Sequence, residues 1–360
     1  MNARSWLAAS LVAIGVAGAP AGAEACGALV SRDGSAELNS FTALLAWEAG
    51  NEELLVTIAY QSNQEFGWLL PLPAAPVVTA GNSVGLRRAL VISTPPAPPH
   101  HGFGFGAAAP PGPTELGRAT VGGYELVTLG GGDAQSVGHW LTDHGFAFHD
   151  RQAAAVQSYL DRHWVLEAAR VAPGALAGPA QLTPVHLSFR TPEPVYPLLI
   201  AGSGHATAIP MTLLVVTPFR PRSTTFAQTV VKPDAYGQFP AAGDRLELRY
   251  SAPLDADERT TVMASVHVAA GSWLTRYQAS WSPATLSSDL ILDVDPSQSR
   301  VDFSDLMAAY RRAEDDSNRQ LLLWLGFVIG VPALLGSIFI IALTVVIVYL
   351  VTTPPAAARR

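Results

Sequence analysis

Apolar positions between residues 41 and 73 come in runs of strand length. Leu54-Leu55-Val56-Thr57-Ile58-Ala59-Tyr60 is rich in β-branched and aromatic residues and has period-two character. In FGWLLPLPAAP, Phe66 to Pro76, the residues Phe66, Trp68 and Leu70 alternate onto one face. The pattern predicts a hairpin of these two runs across the turn QSNQE, with the upstream FTALLAWE as a third strand. Pro71 and Pro73 have no N–H to donate, so the second strand must leave its sheet or lie on an edge there. Leu72 is held extended by the proline after it.

Further along, the period changes. GGYELVTL contains a strand over 124–129, and DAQSVGHWLTDHG then reads as a helix. Asp133 is placed to cap it, Val137, Trp140 and Leu141 share a face, and Gly145 stops it. A second helix is predicted over about 151–162, followed by a strand from Trp164 to Arg170. From Gln181 the pattern is strands only: VHLSFR, PVYPLLI, MTLLVVTPF, RLELRYSAP, RTTVMASVHVAA and DLILDVDP. The fold class expected is α+β, predominantly β, with antiparallel or mixed sheets in a sandwich-like arrangement and an inserted helix pair.

The two ends differ from the rest. Arg4 precedes an uncharged, mostly apolar run from Trp6 to Ala17, and Ala21, Ala23 and Ala25 follow. This predicts a secretory signal peptide over 1–25, cleaved after Ala23 or Ala25. Leu321 to Val351 carries no charge and exceeds the ~20 residues that a helix needs to cross a bilayer. One C-terminal transmembrane helix is expected over 320–351, with Gly326, Gly330 and Pro332 as places for a kink. A 301–319 juxtamembrane helix precedes it, and a cytoplasmic tail, 352–360, ends in Arg359-Arg360. Between these ends we expect a β-rich domain over 26–220 and a smaller one over 221–300. The first contains the helix pair, about 133–162, and a flexible Pro/Gly/Ala-rich insertion over 95–117.

Composition changes the picture in three respects. The formal net charge is −7, and Lys232 is the only lysine, so a basic nucleic-acid footprint is absent. Only 14% of residues are charged, which the two apolar ends largely explain. Cys26 is the only cysteine, so no internal disulfide can form. An inert or capped thiol is the simplest reading of Cys26. Lipidation and a disulfide to a second chain are the alternatives.

Candidate chemistry is sparse. Gly81-Asn82-Ser83-Val84-Gly85 matches G-x-S-x-G, which in an α/β-hydrolase would expose Ser83 as a nucleophile. The repeated strand–helix alternation of such a sheet is missing, so a loop is the plainer reading. His139, His144 and His149 recur every five residues. The first two fall on different faces of a helix, so exposed polar positions explain them better than a metal site. His100-His101 lies in the insertion, Gly202-Ser203-Gly204-His205 reads as a turn, and Asp293 and Asp295 fall short of a calcium cage. The run through Trp68, Pro71 and Pro73 admits two readings. In one, Trp68 anchors the core and the prolines mark strand exit. In the other, the three residues form a stiff binding rim.

Several stretches, in order, resemble a bacterial family, the domain of unknown function 2330. They are Ala25-Cys26-Gly27, FGWLLPLP with Pro76, GGYELVTL with AQSVGHWLTDHGF, PVHLSFRTPEPVYPLLI, and SWLTRYQASWSPATLSSDLIL. The resemblance runs from about 25 to 295. The second cysteine common soon after A-C-G in that family has no counterpart here. The resemblance implies a C-terminal membrane helix and supplies no catalytic residues. The expectation is therefore a single-pass protein of the bacterial cell membrane, with the bulk of the chain extracytoplasmic. Its function is expected to be binding rather than catalysis, with no catalytic residues, no cofactor and no metal. The bilayer and an envelope protein are the expected partners. A structural envelope element and an anchored hydrolase are the alternatives.

Overall fold

The computed structural model describes residues 28–31, 37–61, 66–96, 120–121, 124–171, 184–204, 208–325 and 331–352. In chain order these form β1 (Ala28–Ser31), β2 (Glu37–Glu48), β3 (Asn51–Gln61), β4 (Phe66–Leu72), β5 (Val77–Ala80) and α1 (Ser83–Ile92). Next come β6 (Thr120–Val121), β7 (Tyr124–Leu129), α2 (Ala134–Asp143), α3 (Asp150–Asp161), β8 (Val165–Val171), β9 (Val185–Arg190) and β10 (Val195–Tyr196). Then follow β11 (Ile209–Thr217), β12 (Pro221–Ser223), β13 (Gln228–Val230), β14 (Leu246–Pro253), α4 (Ala256–Val262), β15 (Trp273–Trp281) and β16 (Leu290–Val294). Two helices, α5 (Ser304–Leu325) and α6 (Val331–Thr352), complete the described chain.

The strands make three sheets. A five-stranded sheet has the order β1-β4-β8-β7-β6, a three-stranded one β10-β16-β12, and an eight-stranded one β13-β14-β15-β11-β2-β3-β9-β5. Pairing in the large sheet is antiparallel except for β11 with β2 and β13 with β14. The protein is thus α+β and rich in sheet, as its patterning predicts.

Period-two alternation explains how the layers form. Even-numbered residues of β4 (Phe66, Trp68, Leu70 and Leu72) enter one core cluster with Ala43, Leu45, Leu54 and Val56 of the large sheet. Leu69, from the opposite face of β4, joins Val137 and Leu141 of α2 and Val156, Tyr159 and Leu160 of α3. The five-stranded sheet therefore has the large sheet on one face and the helix pair on the other. Burial on both faces is why all of β4 is inaccessible and why its sequence is almost uniformly apolar.

The predicted strand, helix pair, strand unit is present as β7, α2, α3 and β8, with β7 and β8 antiparallel neighbours. Asp133 caps α2 by accepting from Ser136 N–H at 2.8 Å, and Gly145 follows its end with φ +84°.

Four expectations change. The first run and FGWLL do not form a hairpin: β3 pairs with β2 and β9, whereas β4 pairs with β1 and β8. Local alternation cannot tell whether successive strands share a sheet or face each other across a core. RTTVMASVHVAA is not a strand: its first part belongs to α4, which opens on a reciprocal cap between Asp255 and Glu258. The Gly81–Gly85 stretch is not a loop throughout: from Ser83 it is the first turn of a helix, α1, capped by Asn82. Finally, strands on both sides of residue 220 lie in one sheet. β15 pairs with β11 from Thr217↔Trp273 to Ile209↔Trp281, and β14 pairs with β15. Residues 26–220 and 221–300 thus share a core rather than dividing there.

The described chain falls into two compact units. One lies within residues 1–94, 104–232 and 239–302, and the other within 95–103, 233–238 and 303–360. The second unit contains α5 and α6. In α6 the exposed side chains include Ile338, Phe339, Ile340 and Ile341. Among the described residues, no helix is long and apolar enough to cross a membrane. The expected span includes 326–330, which lie outside the described residues, as do the signal peptide 1–25, Cys26, the tail residues 353–360, most of the insertion (97–117) and the QSNQE turn from Ser62 to Glu65.

One buried acid gives a test of this packing. Glu52 on β3 is fully buried and accepts from Val195 N–H at 2.9 Å. Burial pushes its carboxyl well above the usual range, against the opposing effect of that hydrogen bond. A raised folded-state value favours the folded protein below the unfolded pKa of about 4.3. That contribution is lost as pH rises through the folded value. Glu52→Gln removes the titration. Its thermal midpoint is expected to match wild type near pH 4 and to exceed it at pH 8, as read by circular dichroism.

Candidate functional site

The prolines of FGWLLPLPAAP mark a change of sheet. β1 pairs with β4 only from Phe66 to Leu69, so Pro71 lies where β4 has β8 alone beside it among the described residues. Pro73 to Pro76 then carry the chain from the five-stranded sheet to β5, at the edge of the large one. Trp68 is 1% exposed and packs edge-on against Tyr124, with ring centroids 6.2 Å apart. Pro71 is buried and Pro73 half-buried. The structure therefore places Trp68 as a core anchor. Trp68 also lines the cleft described next, whereas Pro71 and Pro73 are not among its lining residues.

A cleft does open next to β4, on the helix-facing side of the five-stranded sheet. Its volume is about 480 Å³. Leu126 and Val127 of β7, Trp140 of α2 and the following Phe146 give it apolar and aromatic walls. Its polar groups are Glu125, Arg170 and His144. Glu125 and Arg170 are cross-strand partners with side chains 4.0 Å apart. His144 stacks on Trp140 at 4.0 Å, and its Nδ1 lies 2.7 Å from the Trp140 carbonyl oxygen. The C-terminal turn of α2 thus presents a flat aromatic pair to the cleft.

Of the predicted histidines, only His144 reaches this cleft. His139 is exposed on α2, and His149 precedes α3, donating its backbone N–H to Gln152 at 3.0 Å. Among the described residues there is no group of three or more His, Cys, Asp or Glu suited to a metal ion. His100-His101 and His205 lie outside the described residues.

Ser83 does not sit on a nucleophile elbow. It opens α1, and its Oγ accepts from Arg87 Nη1 at 2.5 Å. The glycines of G-x-S-x-G serve close packing instead. A Cβ on Gly81 would lie 2.2 Å from Leu55 Cδ1, and one on Gly85 2.4 Å from the Val262 carbonyl oxygen. Gly85 lets α1 approach α4, where Ser265 Oγ accepts from Gly85 N–H at 2.8 Å and donates to the Asn82 carbonyl. Asp295 is paired with Arg220, and Asp293 accepts from the N–H of Val294.

A second constellation escaped the sequence reading altogether. Thr79 Oγ1 lies 3.0 Å from His186 Nδ1, and His186 Nε2 lies 3.0 Å from Glu53 Oε2. The same Glu53 oxygen accepts from His267 N–H at 3.0 Å, while His267 Nε2 lies 3.1 Å from the Glu48 carboxylate. Register creates this chain: Thr79 and Leu55 both stand opposite His186, and Glu53 is two residues from Leu55 on the same face of β3. Burial would raise the Glu53 carboxyl. The His186 hydrogen bond, the His267 N–H and the two imidazole charges outweigh it and hold the group below its ordinary value. A hollow of about 260 Å³, lined by Trp47, Glu48, Asn51, Glu53, Arg190 and His267, adjoins it. No local motif signals these residues, because they come from four strands and a loop.

The family described as "uncharacterized protein conserved in bacteria (DUF2330)" matches residues 20–293. The chain belongs to the DUF2330 family. The matched stretch takes in all three sheets, the cleft and the Thr79–His186–Glu53 chain, and it ends before α5. No curated protein matches this DUF2330 chain. Among solved structures, that of a mutated baculovirus P35 after caspase cleavage aligns with a TM-score of 0.32 and 7% identity. The alignment covers 72% of this chain and 98% of that one.

Proposed function

We propose that this DUF2330 protein is a single-pass, membrane-anchored binding module of the bacterial cell envelope. Its ligand site is the cleft between α2 and the five-stranded sheet. The observation that carries this reading is the cleft itself. At about 480 Å³ it has the size of a ligand site, and a few polar groups, Glu125, Arg170 and His144, stand among apolar and aromatic walls. The partner is an envelope protein that seats an apolar side chain against the Trp140–His144 pair. The bulk of the chain is extracytoplasmic and the C-terminus cytoplasmic. The anchor is supported by the sequence itself, the uncharged run from Leu321 to Val351, which exceeds the ~20 apolar residues that a bilayer core requires. The N-terminal signal pattern supports export.

A photo-crosslinking residue placed in the cell at Val127, 43% exposed in the cleft wall, tests the site. A reproducible protein partner is expected there and not from Val294, which is equally exposed on β16. Self-crosslinks alone, or the same products from both positions, would instead favour a structural element of the envelope.

A further inference from the structure

We propose that Thr79 is an acyl-accepting hydroxyl, activated by His186 and Glu53, that attacks small activated esters. The site lies on the large sheet and is independent of the cleft on the five-stranded one. A hydroxyl within hydrogen-bond reach of an imidazole, itself oriented by a third group, is the arrangement of an activated nucleophile. Both distances here are 3.0 Å. Thr79 is exposed, whereas the side chains of His186 and Glu53 are only 19% and 18% exposed. The reacting oxygen is therefore accessible while its partners are held.

The protonation pattern follows from the contacts. Glu53 is ionised at neutral pH and only accepts, so His186 must carry a hydrogen on Nε2. In the neutral imidazole, Nδ1 then has a free lone pair facing Thr79, and the hydroxyl donates to it. The His267 N–H on the same carboxylate oxygen fixes the acid from a second element.

The backbone supplies a place for negative charge. Gly81 N–H donates to the Pro184 carbonyl at 2.7 Å, which makes that pair a hydrogen-bonded one. By alternation Thr79 and His186 form the next such pair, so the N–H groups of Val78 and Ala80 point away from β9. β5 is the last strand of its sheet, so among the described residues no strand receives them. The Ala80 N–H, directly after the nucleophile, is a donor for the oxyanion. Thr79 Oγ1 bonds to the carbonyl carbon, and its proton passes to His186 Nδ1. The carbon–oxygen bond to the leaving alcohol breaks, and that oxygen takes the proton from Nδ1. Water repeats the sequence, releasing the acid and restoring the hydroxyl.

The test uses the full chain in detergent with p-nitrophenyl acetate. A single acetyl group is expected on Thr79 by peptide mass spectrometry. Thr79→Ser should retain acetylation at residue 79, and Thr79→Val should abolish it there. The rate should fall about 100-fold in His186→Gln, the scale of general-base assistance. If His186→Gln does not fold, Glu53→Gln reads the same relay through a slower rate. Acetylation spread evenly over Lys232 and other exposed hydroxyls overturns the proposal, as does an unchanged rate on Thr79 without His186 or Glu53.

Discussion

Trp68→Ala is expected to destabilise the protein by about 3–5 kcal/mol, the range for deleting a buried aromatic side chain. The residue is 1% exposed and sits in the core cluster shared by the five-stranded and eight-stranded sheets. Removing the indole leaves a cavity between two sheets. Their backbones are tied laterally by ladder hydrogen bonds and cannot easily collapse into it. The measurement is denaturant unfolding of the full chain in detergent, followed by near-ultraviolet circular dichroism. Trp68→Phe should cost less than half as much, because the indole Nε1 has no hydrogen-bond partner among the described residues. If alanine were tolerated within about 1 kcal/mol, Trp68 would not be the anchor its burial makes it.

Asp289→Ala is expected to cost a similar amount, about 3–5 kcal/mol, through a different mechanism. Asp289 Oδ1 accepts from Tyr159 Oη at 2.5 Å and from the N–H groups of Leu198 and Leu199 at 3.0 and 3.1 Å. Oδ2 accepts from Arg162 at 3.0 Å. Tyr159 Oη in turn accepts from Ile200 N–H. One carboxylate thus joins α3, the loop after β10 and the start of β16. Burial, then the Asp289 charge and its hydrogen bond, push the Tyr159 phenol well above its ordinary value, so it remains a donor. Without the carboxylate, buried donors lose their acceptor at about 1–3 kcal/mol each. Arg162 contributes little, because its side chain is 41% exposed and its charge is screened. Arg162→Met should therefore cost under about 1 kcal/mol. Equal losses from Asp289→Ala and Arg162→Met in the same unfolding assay would show that the ion pair, not the backbone donors, carries the effect.

The two predictions separate what pattern reveals from what it hides. Trp68 was legible, because alternation through Phe66, Trp68 and Leu70 places it on a buried face. Asp289 was not: a single aspartate before a strand looks like any loop acid, and its donors lie about 90 and 130 residues away. The site shows the same division. Trp140 and Leu141 were readable on the buried face of α2, but the cleft exists only because β7 and β8 lie beside that helix. The G-x-S-x-G match carries little information, because glycines required for close approach look the same as glycines required for a nucleophile turn. Asp255 and Glu258, by contrast, carry a capping signal for α4 that competes locally with the β-branched residues after it.

The order of apolar and polar residues determined the element types along most of the chain, the α+β class, the helix pair between two strands, and family membership through collinear motifs. These are local properties, written in the periods of 2 and 3.6 residues and in caps and glycines. Tertiary structure alone decided which strands became neighbours. It placed β3 and β4 in different sheets, joined both sides of residue 220 in one ladder, and brought Thr79, His186 and Glu53 into line. The physical reason is that strand partners are chosen by how buried faces match across the whole core. That global fit leaves no mark at any one position in the sequence.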